Sequence, residues 1–220
     1  MATHADPLGP DGWQRAWREA GAQRVDDTLR DVLLASYQEP HRGYHTLQHL
    51  RECLALLPHL SQQAERPAEI ALALWFHDAI YDPARHDNEQ RSADWARSAA
   101  WACGAPDEVA QRLHSLVMAT RHAVEPVGVD AGVLVDIDLA ILGAPGARFD
   151  EYERQVRTEY ALVDDHAFRA GRLRVLQQFA ERPRLYATAA AHRRFERAAR
   201  ANLARSIAAL LALPAASEER

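Results

Sequence analysis

The stretch Ile70-Ala71-Leu72-Ala73-Leu74-Trp75-Phe76-His77-Asp78-Ala79-Ile80 decides the fold. Seven consecutive apolar residues leave a helix no face for solvent, so this helix must be central, with other elements around it. Pro67 fits the first turn of that helix, where its missing N–H costs nothing. Asp82-Pro83 is expected to end it, because the residue before a proline is pushed out of the α region. The run closes on an imidazole and a carboxylate. Burying such groups unpaired costs several kcal/mol, on the scale of a whole domain's stability. A divalent cation that takes both as ligands removes the cost; a local C-terminal cap is the plainer alternative.

Outward from this helix, apolar residues recur at helical spacing nearly everywhere. Trp13, Trp17 and Ala20 begin one stripe, and Val25, Leu29, Val32 and Leu33 carry another toward Tyr37. Pro40-His41-Arg42-Gly43 breaks the chain, and a helix over about His45–Leu60 follows. Further helices are expected over Asp87–Cys103, Pro106–His122, Asp130–Leu142, Asp150–Val163, Asp165–Arg182 and Thr188–Leu213. Period-two alternation occurs only around Val133 to Leu139. The fold class is therefore all-α. Gly143-Ala144-Pro145-Gly146 is the best boundary, with residues 1–143 as a core and 144–220 as C-terminal helices packed on it in one structural domain.

The totals narrow the function classes. Hydrophobic residues form 48% of the 220, enough for a sizeable core. A net charge of −5 argues against a nucleic-acid binder, which needs a basic surface. All 26 cationic residues are Arg, so any phosphate would meet a planar, bidentate guanidinium. Cys53 and Cys103 sit in apolar helical stretches without Cys-x-x-Cys spacing, so reduced, buried thiols are expected. Met1–Pro10 has no basic region followed by an apolar run, and no stretch reaches membrane-spanning length. A cytoplasmic protein with no membrane partner is expected.

Three segments carry chemistry. Tyr44-His45-Thr46-Leu47-Gln48-His49 sets two imidazoles four residues apart, on one face of a helix. A zinc-protease pair would need Glu where Thr46 stands. The second segment is His77-Asp78. The third, Val133-Leu134-Val135-Asp136-Ile137-Asp138-Leu139, interrupts an apolar run with two carboxylates that point in different directions on a helix, so at most one readily faces a shared centre. An arginine partner is the other explanation for them. Asp87 and Gln90 read as a capping box for the helix that follows, with Glu89 complementing its dipole; alternatively Glu89 orients or deprotonates a catalytic water.

Taken in order, these residues resemble the HD superfamily of metal-dependent phosphohydrolases, and most closely a bacterial family known only as predicted HD phosphohydrolases. The likeness runs through Tyr44-His45-x-x-x-His49, Trp75-Phe76-His77-Asp78-x-x-Tyr81-Asp82, Asn88-Glu89-x-x-Ser92-Ala93, Asp136-x-Asp138-Leu139, Arg157-x-Glu159-Tyr160, Gly171-Arg172 and Arg182-x-x-x-Tyr186. It covers roughly residues 25 to 205. The resemblance implies an HD helical bundle with a C-terminal helical extension, and a metal held by His49, His77, Asp78 and Asp138, with Asp136 as the fallback carboxylate. The first motif is also similar to that of cyclic-nucleotide phosphodiesterases, which implies His45 as general acid. A second ion would draw on His122 or His114, of which His122 is preferred. Asn88, His122, Arg157 and Arg172 are the candidate substrate-binding residues; Glu89 is the second catalytic candidate. His4, His41, His59, His86, His166 and His192 have no comparable setting.

The implied reaction is hydrolysis of a phosphoester or phosphoanhydride of a nucleotide or small phosphorylated metabolite by metal-activated water. Imidazole and carboxylate together suit Mn²⁺, Fe²⁺, Zn²⁺, Co²⁺ or Ni²⁺ better than Mg²⁺, as one ion or two. Two alternatives carry the same motifs: an HD-type di-iron oxygenase, and a non-catalytic HD module that senses a nucleotide. The apolar stripe of Phe195, Ala199, Leu203, Ile207 and Leu210 must be covered, either by the core or by a second copy in a homodimer.

Overall fold

The computed structural model describes residues 6–212. Among these, ten α-helices and two short 3-10 turns account for the secondary structure, with no strand. The fold is all-α, as the apolar periodicity requires. No helix is long and apolar enough to cross a membrane. His4, the C-terminal residues 213–220 and with them the expected helix end at Leu213 lie outside the described residues. The chain divides into two compact units, Met1–Asp138 and Leu139–Arg220. The division falls just ahead of Gly143-Ala144-Pro145-Gly146.

In the first unit, α1 (Pro10–Glu19), α2 (Asp27–Ser36), α3 (Leu47–Leu60), α4 (Pro67–Phe76), α5 (Asn88–Ala102), α6 (Asp107–Ala119) and α7 (Val129–Asp138) surround one core. The central helix is α4, which touches α1, α3, α5, α6 and α7. Its residues Ile70, Leu72, Ala73, Leu74 and Phe76 have no exposed surface. Aromatic rings join it to α1: Trp13 meets Trp75 edge-on at 5.2 Å and Trp17 meets Phe76 at 6.5 Å. Such contacts add to the area that the rings bury. Small residues on α5 (Ser92, Ala93, Ala96, Ala99 and Ala100, all buried) let it lie close against α6. The one buried charge of α4, Glu69, receives Arg112 of α6 through two bonds of 2.7 Å.

The ends of the helices differ from the sequence expectation in instructive ways. Helix α4 stops at Phe76 rather than running to Asp82-Pro83. The cause is tertiary: Tyr37 Oη donates to the Trp75 carbonyl at 3.2 Å, and Arg42 donates to the carbonyls of Asp78 and Ala79 at 2.7 and 3.1 Å. These partners take up carbonyls that end the helix, so it need not continue. Helix α3 starts at Leu47, because Thr46 caps it by accepting from the Gln48 N–H. His45 therefore stands in the turn before the helix, not on a helical face with His49. The expected capping box at α5 is absent, since Asp87 makes no side-chain cap and instead pairs with Arg85 at 2.6 Å. Likewise α6 ends at Ala119, ahead of His122.

The second unit contains a 3-10 turn at Leu139–Gly143, then α8 (Gly146–Glu159), α9 (Asp165–Glu181) and α10 (Ala189–Ala212). Helix α10 packs on the turn and on α9. Gly143 permits this approach: a Cβ there would lie 2.6 Å from that of Phe195. Asn202 of α10 donates to the carbonyls of Leu142 and Ala144, both at 2.9 Å, which fixes the turn. On the α10 stripe, Ala199 and Leu203 are buried, while Phe195, Ile207 and Leu210 are half-buried.

Arg172, buried on α9, pairs with Glu153 and lies over the Tyr152 ring at 4.8 Å. Arg172→Ala would leave that carboxylate without its cation and is expected to cost roughly 3 kcal/mol, as for other buried pairs that lose one partner. The urea midpoint reads it. A loss below about 1 kcal/mol would mean that the pair behaves like a surface ion pair.

Candidate metal centre

Three of the helices deliver donors to one place. His49 comes from the first turns of α3, His77 and Asp78 from the end of α4, and Asp138 from the end of α7. His49 Nε2 and His77 Nε2 face each other at 3.0 Å. Asp138 Oδ1 lies 3.2 Å from the first and 3.6 Å from the second. Asp78 Oδ2 stands 3.5 Å from His49 Nε2 and 3.0 Å from His77 Nε2. The two imidazoles are all but fully buried, at 2% and 1% exposure. The ligand atoms of His49, Cys53, His77 and Asp138 all lie within 4.8 Å of one another, so this buried cluster could hold a metal ion.

The chemistry of the donors fits a cation. His77 Nδ1 is 2.7 Å from the Leu74 carbonyl, so in the neutral ring Nδ1 carries the proton and Nε2 turns its lone pair inward. His49 Nδ1 meets Tyr44 Oη at 2.9 Å, again leaving Nε2 for the centre. Fixing the outer nitrogen in this way is how proteins orient metal-binding histidines. Two lone pairs aimed at each other and at carboxylates need a positive charge between them. Without an ion a proton serves: burial opposes charge on His77, but the Asp78 and Asp138 carboxylates outweigh it and raise the group to about 9. Burial also works against the Asp78 carboxylate, yet His77, His45 and His49 hold its pKa far below the usual range. Asp138 is likewise held low against burial by its bonds to His122 and His49 and the charge of His77.

The other sequence candidates fall in several places. His45 is half-buried beside the cluster, its ring 6.0 Å from that of His49 and 4.2 Å from Tyr81. His122 joins the cluster through Nε2, 2.9 Å from Asp138 Oδ2. It adopts φ +54°, a left-handed conformation that costs a non-glycine residue about 1 kcal/mol. His114 lies apart from the cluster, between Gln90 and Asp94. Asp138, not Asp136, supplies the carboxylate to the histidines, and Asp136 is fully buried. Glu89 is half-buried in the first turn of α5. The amide of Asn88 is engaged at both ends by the backbone of Asp82, at 2.8 and 3.2 Å. In the second unit Arg157 binds the Tyr160 and Val163 carbonyls and Asp165, and Arg172 binds Glu153.

Three participants were named in the sequence without a role at the site. Cys53 brings its sulfur 3.7 Å from both ring nitrogens of His49. Its place four residues after His49 was the available signal. Tyr44 and Arg42 are the others; the Arg42 guanidinium, stacked between Tyr37 and Tyr81, donates to the carbonyls of both His45 and Asp78 and so ties the two motifs together.

No protein-family profile matches the chain, and neither a curated protein nor a solved structure does. What stands is an all-helical protein with a buried cluster of two histidines, a cysteine and an aspartate able to hold a metal ion.

Proposed function

We propose that this chain is a metal-dependent phosphohydrolase of the HD kind, cleaving a phosphoester or phosphoanhydride of a nucleotide or small phosphorylated metabolite. The observation that carries the reading is the convergence of His49, His77, Asp78 and Asp138 from three separate helix segments onto one point. A Mn²⁺, Fe²⁺, Zn²⁺, Co²⁺ or Ni²⁺ ion held there would polarise a phosphoryl oxygen and acidify water toward neutrality. Tyr44 and the Leu74 carbonyl keep the two imidazoles turned toward the centre. His45, in the turn beside the cluster, gives its proton to the departing oxygen. Glu89 would orient the attacking water, and Asn88 and His122 would border the substrate. Arg157 and Arg172, the other candidate phosphate ligands, are engaged by Asp165 and Glu153 within the second unit. We place the protein in the cytoplasm, with a second copy of itself as its possible partner and neither nucleic acid nor membrane among its ligands.

The test is elemental analysis of protein purified without chelator, then phosphate release from a panel of nucleotides and phosphorylated metabolites. Metal-dependent release supports the reading. Bound metal without hydrolysis of any panel member would overturn the activity but keep the centre. The affinity for metal should also depend on pH. His77 holds a proton below about 9, and a cation must displace it. Raising the pH therefore weakens the competitor, and apparent Mn²⁺ affinity should rise by roughly tenfold per unit between about pH 6.5 and 8.5. A flat profile would mean that His77 is not a ligand.

A further inference from the structure

We propose that Cys53 is a fifth protein donor of the centre, bound as a thiolate, and that it makes the site select a thiophilic cation of the zinc kind over magnesium or manganese. This rests on the metal reading above and refines which ion the site takes. Cys53 lies four residues after His49 on α3, so both side chains leave the same face of the helix. Its side chain is buried at 2% exposure, and its sulfur is 3.7 Å from His49 Nε2. With zinc–nitrogen and zinc–sulfur bonds of about 2.0 and 2.3 Å, neighbouring donors in a tetrahedral site stand about 3.3–3.6 Å apart. The observed separations are 3.0 Å between the two Nε2 atoms, 3.2 and 3.6 Å from these to Asp138 Oδ1, and 3.7 Å from His49 Nε2 to the sulfur. All four donor atoms lie within 4.8 Å of one another, close enough to draw in around one ion.

A buried cysteine is most often a small apolar filler. Cys103 fits that description, closing the end of α5 outside the cluster. Cys53 differs in that its sulfur faces ring nitrogens. On coordination the S–H bond breaks, the proton leaves to solvent, and a sulfur lone pair forms the metal–sulfur bond; nothing is oxidised or reduced. Imidazole and carboxylate alone accept a broad range of divalent ions, whereas thiolate favours soft ones and disfavours magnesium and manganese.

Cobalt reads the bond directly, because a cobalt–thiolate bond absorbs in the near ultraviolet by charge transfer and cobalt–imidazole and cobalt–carboxylate bonds do not. The metal-free chain, loaded with Co²⁺ to about one ion per chain, should show this band, and so should Cys103→Ala. In Cys53→Ala and Cys53→Ser the band should vanish while cobalt content is retained by the remaining donors. Zinc affinity should fall in Cys53→Ala by at least about tenfold, since even partners outside the coordination shell are worth that much, and manganese affinity should hold. Full cobalt loading without the band, or a band that survives Cys53→Ala, would overturn the proposal and leave the metal centre standing. Failure of the wild-type chain to take up cobalt would sink the metal reading and this refinement together.

Discussion

Asp78→Ala is expected to come through chelator-free purification with its transition-metal content close to zero, where the wild-type chain carries at least about one ion. The carboxylate sits 3.0 Å from His77 Nε2 and 3.5 Å from His49 Nε2, so like Asp138 it is in reach of both imidazoles. Its removal acts twice. One ligand is lost, and the charge that best offsets the burial of His77 is lost with it. Thermal stability should fall in step: an ion that binds only the folded chain stabilises it by mass action, and breaking the buried His77–Asp78 pair costs on the order of 3 kcal/mol in the metal-free state. The substitution Arg85→Ala, at an exposed pair, is the control and should leave both quantities unchanged. Elemental analysis and a thermal melt of the same preparations make the measurement. An Asp78→Ala protein with full metal and an unaltered melt would remove Asp78 from the centre.

The sequence made the centre legible wherever burial forced the issue. An unbroken apolar helix that ends in His77-Asp78, and the apolar run around Asp136 and Asp138, each state a conflict that only a partner resolves. The partner proved to be the other motif. Periodicity likewise revealed the helices, because a buried stripe is a property of local spacing. Helix ends were another matter. Phe76 is the last helical residue because Tyr37 and Arg42, more than thirty positions away, take the carbonyls of Trp75, Asp78 and Ala79; no window around Phe76 contains that information. Thr46 did carry a local capping signal, and it moves His45 off the helix on which an i,i+4 reading would set it. The choice between Asp136 and Asp138 needed the orientation of α7, which two-residue spacing leaves open. Cys53 was hidden for a different reason: as one of two isolated thiols it offers no motif, and its relation to His49 matters only once His49 is seen to face a centre. The C-terminal arginines were unreadable, since every arginine on a helix surface looks alike until its carboxylate or carbonyl is located.

His45→Ala is expected to keep the metal and lose turnover by roughly 10²–10⁴, the usual worth of general acid catalysis. Its place outside α3 strengthens the separation of roles. Ligation by both histidines of one motif would be natural if they shared a helical face, but His45 instead lies in the preceding turn, its ring against Tyr81 and Tyr44, at 6.0 Å from the ring of His49. The Arg42 guanidinium holds its carbonyl, which fixes the turn relative to Asp78. A half-buried imidazole so held is near enough to help keep Asp78 ionised while standing outside the cluster of His49, Cys53, His77 and Asp138. A proton donor should matter most when the leaving group is a poor one. The loss should therefore be large for an alkyl phosphate or nucleotide and much smaller for p-nitrophenyl phosphate, whose phenolate departs unaided. Comparing kcat for the two substrates, with metal content measured alongside, separates a lost acid from a disturbed site. Equal losses on both would mean that His45 positions rather than protonates. An empty centre in His45→Ala, with metal retained in His49→Ala, would exchange the two assignments, and the turn before α3 would then have to be read as the metal-binding arm.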